Sequence, residues 1–210
     1  MSTPIHRINP TLKLIKRNRF DSIIDVRSPS EFLDDHLPNA INLPVLSDLQ
    51  RETIGTIYTQ SNPFEAKRAG AALVAQNISH YLQTELAEKD RNWQPLIYCW
   101  RGGHRSGAMA RVFSDIGWHT RVIEGGYKAY RKKIQNDLNN LILDTEFIVI
   151  TGPTGIGKTD LLAEIKQAGQ QVLDLEALAC HRGSILGAEP KQNQPSQKFQ
   201  KEMPITNIKF

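Results

Sequence analysis

Short unbroken apolar runs, separated by amphipathic stretches, predict alternating strands and helices over residues 1–140. "SIIDV" (22–26) is a brief β-rich run that ends at Arg27. "SPSEFLDDHLPNAINLP" follows, with turn residues, a short helix and a further extended piece at "AINL". Asn62-Pro63-Phe64-Glu65 reads as a helix start, with Asn as cap, Pro at the first position and Glu in the capping-box place. From there Val74, Ile78, Leu82 and Leu86 fall four apart and make one apolar face. "PLIYC" is apolar throughout, as a strand inside a parallel sheet must be. A helix with Met109, Val112, Phe113 and Ile116 on its inner side comes next, stopped by Gly117. "TRVIEGG" supplies another strand and turn, and Tyr127–Leu141 an amphipathic helix.

Near residue 145 the pattern restarts. "EFIVI" reads as a buried strand, "TGPTGIGKT" as a glycine loop, "DLLAEIKQAG" as a helix and "QVLDL" as a second strand. The reading is therefore α/β, with a first domain over 1–140, a boundary between about 140 and 145, and a second segment over 145–210.

With 210 residues there is room for one large domain or two small ones. No apolar run approaches bilayer length, so no membrane segment is expected. The N-terminus carries charge without an apolar h-region, which predicts no secretory signal. Cys99 and Cys180 are the two cysteines, too few for a disulfide framework; a cytoplasmic, reducing setting is expected. The net charge of +4 gathers in "KLIKRNR", "YRKK" and the last twenty residues. Such clusters suit RNA or another polyanion, and equally a solvated surface.

Candidate chemistry starts at Cys99, which directly follows the "PLIY" strand and precedes a helix. Gly102 and Gly103 permit a tight curl in which successive N–H groups point inward, and the helix adds the positive end of its dipole. Arg105 and Ser106 sit on the near edge of that helix, while Trp100, Arg101 and His104 complete the loop. A thiol so placed should have a depressed pKa and face a cradle for an anionic group. A buried inert cysteine is the alternative. The C-x5-R-S spacing fits both a cysteine phosphatase and a chalcogen carrier. Asp25 and Arg27 are expected to pair with each other as a buttress.

Gly152-Pro153-Thr154-Gly155-Ile156-Gly157-Lys158-Thr159 satisfies G-x-x-x-x-G-K-[ST]. Gly152, Gly155 and Gly157 would let backbone amides wrap a diphosphate, Lys158 would neutralise it, and Thr159 would bind Mg²⁺ if a metal is used. Asp174 and Glu176 fall at the expected end of the "QVLDL" strand, either as positioning carboxylates or as solvated acids. Cys180-His181 lacks partners for a metal site, so no metal site is expected, and Arg182 reads as a phosphate contact or a surface charge.

The segment "IIDVRSPSEFLDDHLPNAINLP", with Asp-x-Arg, a Glu-Phe pair, His-x-Pro-x-Ala and Asn-x-Pro, resembles the rhodanese fold, and "VIEGGYKAY" resembles its closing turn. Phosphatases of that fold usually have His before the nucleophile, where this chain has Tyr98, which favours chalcogen transfer. Joined to "TGPTGIGKT", "VLDLEALACHRGS" and "QPSQK", the "CWRGGHRSGAMARVF" loop resembles the bacterial tRNA 2-selenouridine synthases from about Ile23 to Lys198. The resemblance implies a rhodanese-like parallel sheet flanked by helices, followed by an incomplete P-loop NTPase-like segment.

It also implies conversion of wobble 2-thiouridine in tRNA to 2-selenouridine, through S-geranylation by geranyl diphosphate and then replacement by selenium from selenophosphate. On this chain it assigns selenium carriage to Cys99, donor phosphate binding to the loop amides and Arg105, and diphosphate binding to Gly152–Thr159. No tightly bound cofactor is implied; the partners are the anticodon region of tRNA and an enzyme that supplies selenophosphate. A plain rhodanese-type sulfurtransferase and a cysteine-dependent phosphatase using the C-x5-R-S loop are the alternative activities. Only two strands and one helix are legible after Glu146, which predicts a shortened product with an incomplete second domain.

Overall fold

The computed structural model describes residues 3–10, 20–60, 62–144, 146–153, 155–181, 187 and 194, with side chains from 141 to 144 left aside. The "KLIKRNR" cluster, Thr154, Arg182 and nearly all of the last twenty residues lie outside these. The chain divides into two compact units, Met1–Lys133 and Ile134–Phe210.

The first unit is built on a five-stranded sheet in the order β1-β5-β4-β2-β3. Its strands are β1 (His6–Ile8), β2 (Ser22–Asp25), β3 (Ala40–Asn42), β4 (Pro95–Tyr98) and β5 (Arg121–Ile123). Every pairing is parallel. Asp25 at the end of β2 therefore lies beside Tyr98 at the end of β4. β4 is buried along its whole length, as its unbroken apolar run requires.

Helix α1 (Pro29–Asp34) starts from a capping box in which Ser28 and Glu31 satisfy each other's end of the first turn. Helices α2 (Asp48–Gln60) and α3 (Pro63–Gln83) pack on each other. Asn62 Oδ1 accepts the Phe64 N–H at 2.8 Å, with Pro63 at the first position as the cap motif predicts. Glu65, expected to complete a box, pairs with Arg68 instead. Helix α4 (His104–Ile116) packs on β4 and β5 and ends at Gly117 with φ 107°, a left-handed cap suited to glycine. Helix α5 covers Gly126–Asp144.

The core joins Ile24, Val26, Ile78, Ile97, Met109 and Phe113 to an aromatic cluster. Trp93 and Trp118 meet edge to face at 4.8 Å, and Phe113 meets Trp118 at 5.0 Å and 90°. Each indole is also satisfied: Trp93 Nε1 donates to Ser22 Oγ and Trp118 Nε1 to the Asp90 carbonyl. Leu86 belongs to this core but lies beyond the end of α3. Ile116, expected inside, is half exposed, because α4 turns it outward in its last residue before the cap.

In the second unit the described elements are the part of α5 from Ile134 on, α6 (Lys158–Gln167) and α7 (Leu175–Leu178). The chain at 146–150 and 171–175, expected to form strands, pairs with no neighbouring strand among the described residues. An unbroken apolar run favours burial, but a strand exists only when a neighbour takes its N–H and C=O groups. Ile148 and Val149 accordingly stand 92% and 77% exposed. Among the described residues, no helix is long and apolar enough to cross a membrane.

Candidate active site

Parallel strands leave their carboxyl ends free of ladder partners, and β4, with a neighbour on each side, delivers Cys99 to that edge. The chain then turns through Trp100–Gly103 into α4. Gly102 adopts φ +65°, where a side chain is strained, and a Cβ there would fall 2.6 Å from the Ile123 carbonyl oxygen.

What presses on the loop is the turn after β5. Gly126, at φ +61°, lies so close that a Cβ would be 2.2 Å from the Cys99 carbonyl oxygen and 2.5 Å from the Gly102 nitrogen. The Tyr127 N–H donates to the Cys99 carbonyl at 2.9 Å and the Lys128 N–H to the Trp100 carbonyl at 3.0 Å. Arg7 on β1 donates to the Gly102 carbonyl at 3.2 Å. With its carbonyls held outward by these donors, the loop can turn its amides toward the sulfur.

Cys99 is 3% exposed, and its Sγ lies 3.2 Å from Ser106 Oγ. Burial pushes the thiol pKa up, but hydrogen bonds from the Ser106 hydroxyl and from the backbone N–H groups of Ser106, Arg101 and Gly103 outweigh it. The net result is a thiol below its ordinary value. N–H groups converging on a thiolate are an arrangement that can hold an anion beside a nucleophile.

The alkylation rate of Cys99 by iodoacetamide should therefore rise with pH at a midpoint below that of an unhindered thiol. Ser106→Ala removes the largest stabilising partner of the thiolate, so its midpoint should move up; an unmoved midpoint would contradict the assignment.

Of the residues expected in this site, Cys99, Gly102 and Ser106 are buried together, while Trp100, Arg101, Gly103 and His104 form an exposed rim. The Trp100 ring rests 5.4 Å from that of Tyr127. Arg105 lies on the first turn of α4 as expected, but its guanidinium pairs with Glu31 on α1 at 2.6 Å rather than with the loop. The depression of the thiol comes from amides and Ser106, without this arginine among its main causes. Sequence reasoning missed Glu31 and Arg7 as neighbours of the loop. Only the Glu-Phe pair in "SPSEF" hinted at the first.

Beneath the loop lies a buried ion pair. Arg27 Nε donates to both Asp25 carboxylate oxygens at 3.0 Å, and Nη2 reaches Asp25 Oδ2 and the Asp35 carbonyl at 2.6 Å. The guanidinium lies 4.1 Å from the centre of the Tyr127 ring. Asp25 and Arg27 thus brace the site from below, as their position at a strand end suggested. Tyr127 in turn donates to the buried carboxylate of Asp35.

The glycine loop of the second unit follows its own geometry. Gly155 and Gly157 take φ +83° and +87°, and α6 starts at Lys158. Lys158 Nζ donates back to the Gly152 and Pro153 carbonyls at 2.9 and 3.0 Å, while Thr159 is exposed at the start of the helix. Asp174, expected to follow a strand, instead caps α7 by accepting the Ala177 N–H at 3.0 Å, with Glu176 in that helix's first turn. No cluster of three or more His, Cys, Asp or Glu side chains fit to hold a metal ion occurs among the described residues.

Residues 10–133 match the rhodanese-like domain family, and residues 145–210 match the AAA domain of tRNA 2-selenouridine synthase. The tRNA 2-selenouridine synthase of Nitrosomonas europaea is 38% identical over 190 residues, covering 90% of this chain and 49% of that protein. The enzyme of the same name from Shewanella denitrificans is 36% identical over 185 residues, covering 87% and 49%. The chain thus spans about half the length of the curated relatives it matches. Among solved structures, the N-terminal domain of a protein from Clostridium difficile described as ATP/GTP binding superposes with a TM-score of 0.50 at 36% identity. It covers 61% of this chain and 97% of that domain.

Proposed function

We propose a selenium-transferring enzyme that acts on tRNA, on the premise that this chain belongs to the rhodanese-like domain family and is a homologue of the tRNA 2-selenouridine synthases. The observation that carries the reading is the Cys99 thiol itself, lowered in pKa at the mouth of a loop whose N–H groups face it. Water attacks the phosphorus of selenophosphate; the Se–P bond breaks with its electron pair on selenium, phosphate leaves, and the selenide displaces a small thiol from a mixed disulfide of Cys99, so that selenium stays on Cys99 as a selanyl-cysteine. The loop amides and Arg105 hold the phosphate group of the donor. That selenium then attacks C2 of S-geranyl-2-thiouridine at the wobble position of tRNA, geranylthiolate leaves, and a small thiol attacks the Cys99 sulfur, restoring its mixed disulfide and releasing 2-selenouridine.

In the second unit Gly152, Gly155, Gly157 and Lys158 are the proposed seat of the geranyl diphosphate headgroup. Lys158 exchanges its two loop carbonyls for diphosphate oxygens, and Thr159 offers its hydroxyl to Mg²⁺ where a metal accompanies the diphosphate. The exposed rim at Trp100, Arg101 and His104 is where a tRNA base and backbone can approach the thiol.

Intact mass after exposure to selenophosphate and a small-molecule disulfide tests the first step. The expected result is one selenium gained, removed by reductant and absent from Cys99→Ser. A folded chain that gains nothing overturns the reading. A sulfurtransferase is the second reading, favoured by the carrier loop standing wholly within the first unit. It predicts thiosulfate turnover without tRNA and sulfur, not selenium, on Cys99.

A further inference from the structure

An oxyanion seated on the loop amides calls for a cation beside it, yet the guanidinium that the C-x5-R spacing assigns to this task is already engaged. Arg105 Nη1 donates to Glu31 Oε2 at 2.6 Å and Nη2 to Oε1 at 3.3 Å, the two-pronged geometry that a guanidinium also offers to phosphate. Glu31 is fixed from the other side. Its Oε2 accepts from the Ser28 N–H and hydroxyl, each at 3.3 Å, within the capping box of α1. Arg51 on α2 stands 3.5 Å from the same oxygen.

The Arg105 and Glu31 side chains are 23% and 16% exposed, so water screens this pair only in part. Burial pushes the Glu31 carboxyl pKa up, but Arg105, the Ser28 N–H and Arg51 hold it below the ordinary glutamate value. Glu31 therefore stays ionised wherever the loop works.

We propose that Glu31 is a positioning residue of this site, an internal anion that parks Arg105 at the rim of the Cys99 loop and gives it up to the oxyanion of an incoming donor. The inference rests on the reading of the loop as an anion cradle. Arg51 and the capping donors remain on Glu31 when Arg105 leaves, so the exchange strands no bare carboxylate. Glu31 thereby tunes affinity: part of the attraction between Arg105 and a donor is spent on separating Arg105 from Glu31. Glu31→Gln keeps an oxygen for the Ser28 N–H and removes the competing charge.

Inorganic phosphate is the probe, read on the full chain as protection of the Cys99-containing peptide from iodoacetamide. Glu31→Gln is expected to lower the half-protecting phosphate concentration about fivefold, and the shorter Glu31→Asp about twofold in the same direction. In an Arg105→Met background the effect of Glu31→Gln should vanish. No shift, or a shift that survives Arg105→Met, overturns the proposal. Should Glu31→Gln fail to fold by circular dichroism, Glu31→Asp alone is read with the same two outcomes.

Selenium loading plays no part in this measurement. A chain that shows the shift but takes no selenium would sink the transferase reading and leave Glu31 in its role. One that takes selenium without the shift would do the reverse.

Discussion

Gly126→Ala is expected to destabilise the first unit by about 3 kcal/mol and to raise the thiol pKa of Cys99 toward its ordinary value. Two costs add. The residue sits at φ +61°, where an alanine is strained, and its Cβ would lie 2.2 Å from the Cys99 carbonyl oxygen, a backbone atom that cannot swing aside as a side-chain tip can. Relief requires the turn and the loop to part, which breaks the hydrogen bonds from Tyr127 and Lys128 that keep the loop carbonyls outward. The amides would then no longer converge on the sulfur. Urea unfolding reads the first effect and the pH dependence of alkylation the second. Gly103→Ala is the control, because nothing lies within 4 Å of a Cβ there, and it should cost less than about 1 kcal/mol. Equal behaviour of the two variants would show that the clamp is not what shapes the loop.

Asp25→Ala should cost about 3–5 kcal/mol, the range for removing one partner of a buried ion pair. Both side chains are essentially inaccessible, at 0% and 1%. Without the carboxylate, the Arg27 guanidinium keeps the Asp35 carbonyl and the face of Tyr127 but remains an uncompensated buried charge. The loss should also be felt at the thiol, since the ring that Arg27 rests on belongs to the residue whose N–H holds the Cys99 carbonyl. Replacing both partners together with apolar residues should cost less than the sum of the single changes, because no lone charge is left behind. A single-variant loss below 1 kcal/mol in denaturant unfolding would refute the assignment of this pair as a brace.

The difference between what the chain's pattern announced and what it concealed follows from the range of the interactions involved. β2, β4 and β5 were legible because a strand buried on both faces needs apolar residues in succession, and the stop of α4 at Gly117 because only glycine takes φ 107° easily. β1 was not, since "HRI" is three residues with two of them exposed and becomes a strand only by lying against β5. Helix α2 buries no residue, so it left no periodic apolar stripe to read. At 146–150 the error ran the other way, with a strand-like composition and no ladder to join.

The site shows the same division. Local spacing placed Cys99, Gly102 and Ser106 together. It could not reveal that Arg105 would turn to Glu31, 74 positions earlier, because that contact depends on how α1 packs beside α4.

The pairing of β1 with β5 fixes an order of events during synthesis. Thr3 donates its hydroxyl to the Trp118 carbonyl, 115 positions further along, and among the described residues β1 pairs with β5 alone. On the ribosome the opening residues must therefore wait, unpaired, until nearly the whole first unit has emerged. Cys99 leaves the exit tunnel before the glycine turn that clamps its carbonyl. For that interval Cys99 keeps the pKa of an ordinary thiol, and the loop amides and Ser106 converge on its sulfur only when the last strand closes the sheet.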